Sequence, residues 1–313
     1  MRVLVAGGAG FIGSHVCREL LSRGHKVVCV DDLSTGARRN VSELEVRPDF
    51  EFVERDVTQP LSMEADVVLH LASPASPIDY VRMPLETLAA NSTGTWRLLD
   101  VARESGAVMT FVSTSEVYGD PLVHPQPETY WGNVDPIGPR SCYDESKRFG
   151  EALVMSMRRR HGVRANIVRL FNTYGPRMRH DDGRVIPELV TAALAGRPMV
   201  LHGDGGQTRS FCYVSDLVDG LLAVTLDRDL DGAVLNIGNP DEVTMRELAE
   251  RIRGITGTVS PIEYAERRPG DPEHRQPDIA RMRARYGWTP GIDLSEGLAR
   301  TIAAFEAEMS SAA

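Results

Sequence analysis

The sequence predicts an α/β protein: a doubly wound, mostly parallel sheet followed by a smaller C-terminal α/β domain that faces a ligand. Three observations carry this. Short β-branched runs alternate with longer stretches of helical period over the first 171 residues. A glycine-rich turn joins the first such run to the first helix. Beyond Phe171 the texture changes to loops rich in Gly, Pro and Arg.

The runs Arg2–Ala6, Lys26–Asp31, Asp66–Ala72, Val108–Ser113 and Asn166–Phe171 are largely apolar, as strands covered on both faces must be. A shorter run, Glu51–Glu54, adds another strand. Between them, Phe11–Ser22, Leu85–Glu104 and Asp144–His161 carry apolar residues at helical spacing. Strand–helix alternation implies parallel strands with helices on both faces. Residues 1–171 therefore form the first domain and 172–313 mainly the second, with segments near 211–240 (Phe211–Asp216 and Val234–Ile237) returning to the first. Helices near Ile186–Ala195, Thr244–Ile255 and Leu294–Ala307 belong to the second, and the Ser-Ala tail after Met309 is expected to fray.

Composition narrows the partners. The 35 basic and 44 acidic residues leave a net charge of −9, which excludes nucleic acid because phosphate-backbone binding needs a basic surface. An anionic ligand would need a local arginine cluster. Cys17, Cys29, Cys142 and Cys212 form no CxxC pair and read as free thiols of a reducing compartment. No apolar run approaches the ~20 residues of a membrane span. After Met1 and Arg2 the chain enters a strand-like run with no secretory leader, so a cytoplasmic protein is expected. His70, His124, His180, His202 and His274 lack metal-ligand spacing, and no metal is expected.

The turn Gly7-Gly8-Ala9-Gly10-Phe11-Ile12-Gly13 lets the backbone bend sharply and approach a pyrophosphate, while the following helix offers amide donors and a positive dipole. Asp31 ends the second strand 18 residues after Gly13, where its carboxylate can accept from ribose hydroxyls and repel a 2′-phosphate. This is a Rossmann-type site for NAD. Arg38 and Arg39 are the residues that would argue for NADP, and the acid at the strand end outweighs them. The loop Asp32, Ser34, Thr35 and Gly36 is assigned to the cofactor with Asp31. Asp56-Val57 should meet the adenine, and Leu71-Ala72-Ser73 the nicotinamide half.

Tyr143 and Lys147 form a YxxxK pair, placing a phenol and an ammonium on one helix face. Lys147 is expected to pull the phenol below its ordinary ~10 so that it can act as a base. Set 130 residues behind Gly13, this pair resembles the extended short-chain dehydrogenase/reductase superfamily across essentially the whole chain. Thr114 then completes a Thr/Tyr/Lys triad. In the related sugar 4,6-dehydratases an Asp-Glu pair follows this threonine, and the Asp protonates the departing 6-hydroxyl. Here Ser115-Glu116 stand there, and a serine is a poor acid for that elimination.

The run STSEVYGDPLVHPQPETYWGNVDPIGPRSCYDESKR (113–148) closely resembles the UDP-glucuronate decarboxylases, or UDP-xylose synthases. So do LASPASP (71–77), FNTYGPRM (171–178), DDGRVIP (181–187), GDGGQTRSFCYVSD (203–216), NIGNP (236–240) and EHRQPDI (273–279). Arg177, Arg184, Arg209 and Arg275 lie in these loops, and guanidinium forks suit diphosphate and carboxylate. The resemblance implies that Asn172, Arg184, Gln207 and Arg209 hold the UDP moiety, that Ser76 and Glu116 touch substrate, and that Arg275 faces the sugar carboxylate. It also implies the chemistry. Tyr143, Lys147 and Thr114 take the 4-hydroxyl proton while NAD takes the hydride. The β-keto acid loses carbon dioxide, Ser115 and Glu116 govern proton placement, and the hydride returns to give UDP-xylose.

One departure is Ala89-Ala90, where family members often carry Lys-Thr before the residue corresponding to Asn91; it leaves a cofactor or substrate contact open. A UDP-glucuronate 4-epimerase, another NDP-sugar epimerase or dehydratase, a decarboxylase stopping at the 4-keto sugar and a non-catalytic cofactor-binding regulator remain as alternatives. The resemblance also implies a homodimer through the Tyr143 helix and Leu85–Glu104.

Overall fold

The computed structural model describes residues 1–267 and 272–311. Its centre is a seven-stranded sheet of β1 (Arg2–Ala6), β2 (Lys26–Asp31), β3 (Phe50–Glu54), β4 (Val67–His70), β5 (Val108–Thr114), β6 (Ala165–Leu170) and the strand Val234–Ile237. Across the sheet the order is Val234–Ile237, β6, β5, β4, β1, β2, β3, and every pairing is parallel. The chain runs outward from β1 to β3, then returns to β4 on the other side of β1. That reversal opens a crevice at the carboxyl ends of β1 and β4, where ligands bind in sheets of this kind.

Each strand feeds two cores. Val3 and Val5 of β1 enter one apolar cluster and Leu4 and Ala6 the other. Burial on both faces is why the strands read as continuous apolar runs. Helix α1 (Phe11–Ser22) lies where its periodicity places it.

The span Leu85–Glu104 is helical as expected: Pro84–Ala89 runs through a π turn at Ala90–Gly94 into Thr95–Ser105, with helical backbone at both junctions. Pro84 separates it from the short helix Pro77–Arg82, because the residue before a proline is driven out of the helical region; Met83 adopts φ −126°, ψ 59°. The π turn, a common device near functional sites, buries Asn91. Its Nδ2 donates to Ser73 Oγ (2.9 Å), Ser146 Oγ (3.0 Å) and Thr87 O (3.1 Å).

The helix Ser141–His161 begins earlier than the apolar pattern suggests. It passes so close to β5 that a Cβ on Gly150 would sit 2.4 Å from the Phe111 ring. That contact fixes the height of Tyr143 and Lys147 over the strand end.

Val234–Ile237 returns to the main sheet as expected. Cys212–Tyr213 does not: it pairs with Thr173–Tyr174 in a separate two-stranded sheet. The helix after it, Val214–Thr225, packs against α1 and supplies the return instead. A three-stranded sheet places Glu242–Thr244 and His274–Arg275 on either side of Thr208–Ser210, with Arg275 in register with Arg209. The helix Met245–Thr256 starts on a capping box between Thr244 and Glu247. The last helix, Leu294–Ser311, runs into the segment expected to fray; Ala312 and Ala313 lie outside the described residues. Among the described residues no helix is long and apolar enough to cross a membrane, and no group of metal-binding side chains forms.

Candidate active site

A cavity of about 740 Å³ opens at the carboxyl ends of the central strands, beneath the C-terminal loops. It brings together residues scattered from Gly7 to Arg275.

Gly7, Gly10, Phe11, Ile12 and Gly13 line one end. Gly7 holds φ +80°, and a Cβ there would lie 2.6 Å from the Ala72 amide nitrogen; at Gly13 it would lie 2.1 Å from Gly7 O. No larger residue fits either position. The N-cap Gly10 offers no side-chain acceptor and the first turn of α1 holds no acidic residue, so its amides face the cavity without a competing anion. That donor set suits a pyrophosphate.

Asp31 is buried beneath this turn and braces it, accepting from the amides of Ala9 and Leu33 (2.9 Å each). Burial pushes its carboxyl above the ordinary value, opposed by those two amides. Asp32 holds the next loop by accepting from Ser34 N (3.0 Å) and Ser34 Oγ (2.6 Å). Ser34, Thr35 and Gly36 line the cavity, as do Leu71 and Ser73. Asp31, Asp32, Asp56, Val57 and Ala72 are not among the residues that line it. Asp56 accepts from Thr58 N (2.8 Å), and Val57 packs where Gly94 leaves room. Arg38 is forked on Glu45 (3.0 and 2.8 Å) over the Phe52 ring, so it is already engaged; Arg39 is exposed at the cavity edge.

Thr114, Tyr143 and Lys147 converge at the middle of the cavity. The Tyr143 ring stacks on Tyr80, 5.2 Å between centroids and 9° from parallel. Lys147 Nζ donates to Val112 O (2.9 Å) and lies 5.9 Å from the Tyr143 ring. The expected depression of the phenol is not present here. Burial pushes Tyr143 up to about 12, against a hydrogen bond from Thr114 and the charge of Arg184. Burial likewise brings Lys147 down to about 7, opposed by Glu151. Spacing counts the ammonium's charge and omits the desolvation that acts on both groups.

Beyond Tyr143 lies a charged cluster. Glu116 is gripped by the Arg275 guanidinium at both oxygens, with Nη2–Oε2 at 2.8 Å, and by Arg140. Burial would raise its carboxyl, but Arg140 and Arg275 hold it below the ordinary range. Arg275 is therefore buried against Glu116 and does not stand open toward a substrate carboxylate. Ser115 lies beside them, also buried.

At the far end, Asn172 Nδ2 donates to Ser210 O (3.4 Å) and Gln207 Nε2 to His202 O (2.5 Å). Arg184 reaches Ala75 O (2.7 Å) and Asp182 (3.3 Å). Arg209 braces the carbonyls of Thr208, Pro272 and Glu273. Ser76 caps the helix Pro77–Arg82, accepting from Asp79 N and donating to Asp79 Oδ2 (2.7 Å). All five line the cavity, as do Arg177 and Arg275.

Four residues of the site escape sequence reasoning. Arg140 stands three positions before Tyr143 inside a motif already singled out, and only its contact with Glu116 reveals it. Tyr80, Asp79 and Arg179 sit where no periodic signal marks them; Arg179 pairs with Asp79 at 3.0 Å across the cavity mouth.

Residues 3–238 match the model of the NAD dependent epimerase/dehydratase family. UDP-glucuronic acid decarboxylase 3 of Arabidopsis thaliana is 49% identical over 299 residues, covering 95% of this chain and 87% of that protein. UDP-glucuronic acid decarboxylase 1 of Danio rerio is 44% identical over 308 residues, covering 98% of this chain and 73% of that one. Among solved structures, a UDP-glucuronic acid 4-epimerase variant from Bacillus cereus, bound to UDP-4-deoxy-4-fluoro-glucuronic acid and NAD, superposes with a TM-score of 0.89 at 28% identity. It covers 98% of this chain and all of that one (100%).

Proposed function

The chain belongs to the NAD dependent epimerase/dehydratase family and, within it, to the UDP-glucuronic acid decarboxylases; from that premise we propose that it converts UDP-glucuronate to UDP-xylose and carbon dioxide through a 4-keto intermediate. The observation that carries this is Glu116, set beside Ser115 at the end of β5 and clamped by Arg275 and Arg140 at the wall of the cavity.

The glycine turn and the uncapped start of α1 would hold the NAD pyrophosphate, with Asp31 bracing the turn. NAD held there would supply a reversible hydride acceptor for sugar carbon 4 and a positive charge that favours a phenolate at Tyr143. Tyr143 takes the proton of the 4-hydroxyl, with Thr114 sharing that hydroxyl and Lys147 supporting the negative phenol oxygen. Oxidation at carbon 4 makes the carboxylate on carbon 5 β to a ketone, and the ketone can accept the electrons released when carbon dioxide leaves. Glu116, kept anionic by Arg275 and Arg140, forms with them a polar wall that orients the sugar carboxylate for its departure. Arg184, Arg209, Gln207 and Asn172 hold the UDP moiety, with Ser76 at the sugar. Tyr143 finally returns its proton to O4.

In this reading residues 1–171, with the segments near 211–240, carry the cofactor, and the remainder of 172–313 carries most of the UDP-sugar contacts. Cytoplasmic residence is part of it, supported by four cysteines that are all free. So is a homodimer: Leu85, Leu88, Trp96 and Phe149 are exposed on the helices expected at the interface. Light scattering during size exclusion should then give twice the chain mass, and a monomer mass would remove the dimer. The decisive test is NMR of purified protein with UDP-glucuronate. UDP-xylose with carbon dioxide is expected, whereas UDP-galacturonate would replace decarboxylation with epimerisation.

A further inference from the structure

Decarboxylation of UDP-glucuronate is the premise here, and under it the protons do not balance at Tyr143 alone. The phenolate takes one proton in the oxidation and gives it back to O4 in the reduction, so it ends a turnover as it began. Loss of carbon dioxide is different. When the bond between carbon 5 and the carboxylate breaks, its electron pair moves into the ketone, giving an enolate, and carbon dioxide departs. The enolate must then form a new C5–H bond. Each turnover thus draws one proton from solvent into a buried site, in addition to the one that Tyr143 takes from O4 and returns.

A second chamber of about 260 Å³ lies on the other side of the Glu116 wall. Glu116, Arg140 and Arg275 line both it and the main cavity. Its rim is exposed, formed by Asp120, Asn133 and Asp135, and its floor is buried. At the floor sits Asp144, only 6% exposed, whose Oδ1 has no hydrogen-bond partner among the described residues. Its other oxygen lies 3.9 Å from Arg140 Nε. A buried carboxyl oxygen without a partner is costly unless the group carries a proton or meets water.

We propose that this chamber is the entry route for the C5 proton, with the Asp144 carboxyl holding that proton at its floor and releasing it through water across the Glu116 wall. The enolate carbon gains the proton, Asp144 is left as carboxylate, and solvent in the chamber restores its proton. Glu116 itself is unsuited to carry it, because two guanidiniums hold it anionic. Asp144 is suited. Burial and the negative charges of Glu116 and Glu145 raise its carboxyl, against Arg140 and Arg275. Asp120 and Asp135 stand at the rim of the chamber, and burial raises the neighbouring phenols of Tyr80 and Tyr143.

Rapid quenching of enzyme with UDP-glucuronate, following carbon dioxide and UDP-xylose separately, tests the assignment. In the parent protein the two should appear together, and D2O should place one deuterium at carbon 5. Asp144→Asn should still release one carbon dioxide per site as a burst, then form UDP-xylose about 10²-fold more slowly with KM unchanged, in the range a positioned acid contributes. Asp144→Glu should bring the two products back together. Val134→Phe, which fills the chamber without altering Asp144, should give the same burst more weakly and serves if Asp144→Asn does not fold. The proposal is overturned if Asp144→Asn forms both products at the parent rate, or loses both equally with no burst. Absence of carbon dioxide from the parent protein would instead remove the decarboxylase reading itself.

Discussion

Tyr143→Phe is expected to lower kcat by about 10³- to 10⁴-fold while leaving cofactor and UDP affinity intact, because only the hydroxyl that moves the O4 proton is lost. The ring would stay in place, since it is stacked on Tyr80 and buried on the helix that Gly150 seats against Phe111. Burial holds the phenol up to about 12, so the residue is a strong base once ionised. Lys147 donates to Val112 O, with its Nζ 5.9 Å from the ring centre. Turnover assays alongside calorimetric titration with UDP would check this. Retention of activity within tenfold would remove Tyr143 as the base.

Arg275→Ala should have the largest effect on the protein as a whole. The Arg275 side chain is 6% exposed and that of Glu116 is 16% exposed, so solvent screens their contact little. Removing one partner of a buried ion pair costs roughly 3–5 kcal/mol, because the remaining charge loses its compensation. Arg140 still faces Glu116, so a loss of about 3 kcal/mol is expected. Chemistry should suffer too: Glu116 loses the guanidinium that grips both of its oxygens and sets its place at the cavity wall, so carbon dioxide release should fall while NAD binding persists. Urea unfolding and a carbon dioxide assay measure both effects. An unfolding free energy within about 1 kcal/mol of the parent would show that Arg140 alone suffices.

Much of the fold is legible in the sequence because it is parallel. Strands covered on both faces are apolar throughout, so β1 and β2 appear in the sequence at the residues where they form, and β4 to β6 within two of them. The Leu85–Glu104 stretch reads as one helix and is one, but apolar spacing gives no sign of the π turn inside it. Cys212–Tyr213 pairs outside the expected sheet because two residues carry no directional information. In the site, motifs that lie in one stretch are readable: the glycine turn, Tyr143 with Lys147, Ser115 with Glu116. What joins them across the fold is not. Glu116 and Arg275 are far apart in the chain and meet because a two-residue strand aligns Arg275 with Arg209. Desolvation is equally invisible, and it raises the Tyr143 phenol where the spacing of Tyr143 and Lys147 predicts a lowering.

The strand Val234–Ile237 crosses back from the later half of the chain to close the sheet edge beside β6, pairing Val234 with Ile167 and Ile237 with Leu170. The earlier and later parts of the chain are thus interleaved in one sheet. Cut at residue 171, the first part would expose the backbone edge of β6 as a template for aggregation. Recombining segments between relatives would require this strand to travel with β1 to β6, although in chain order it lies far beyond them. The unit of inheritance is the sheet, and the order of the chain conceals it.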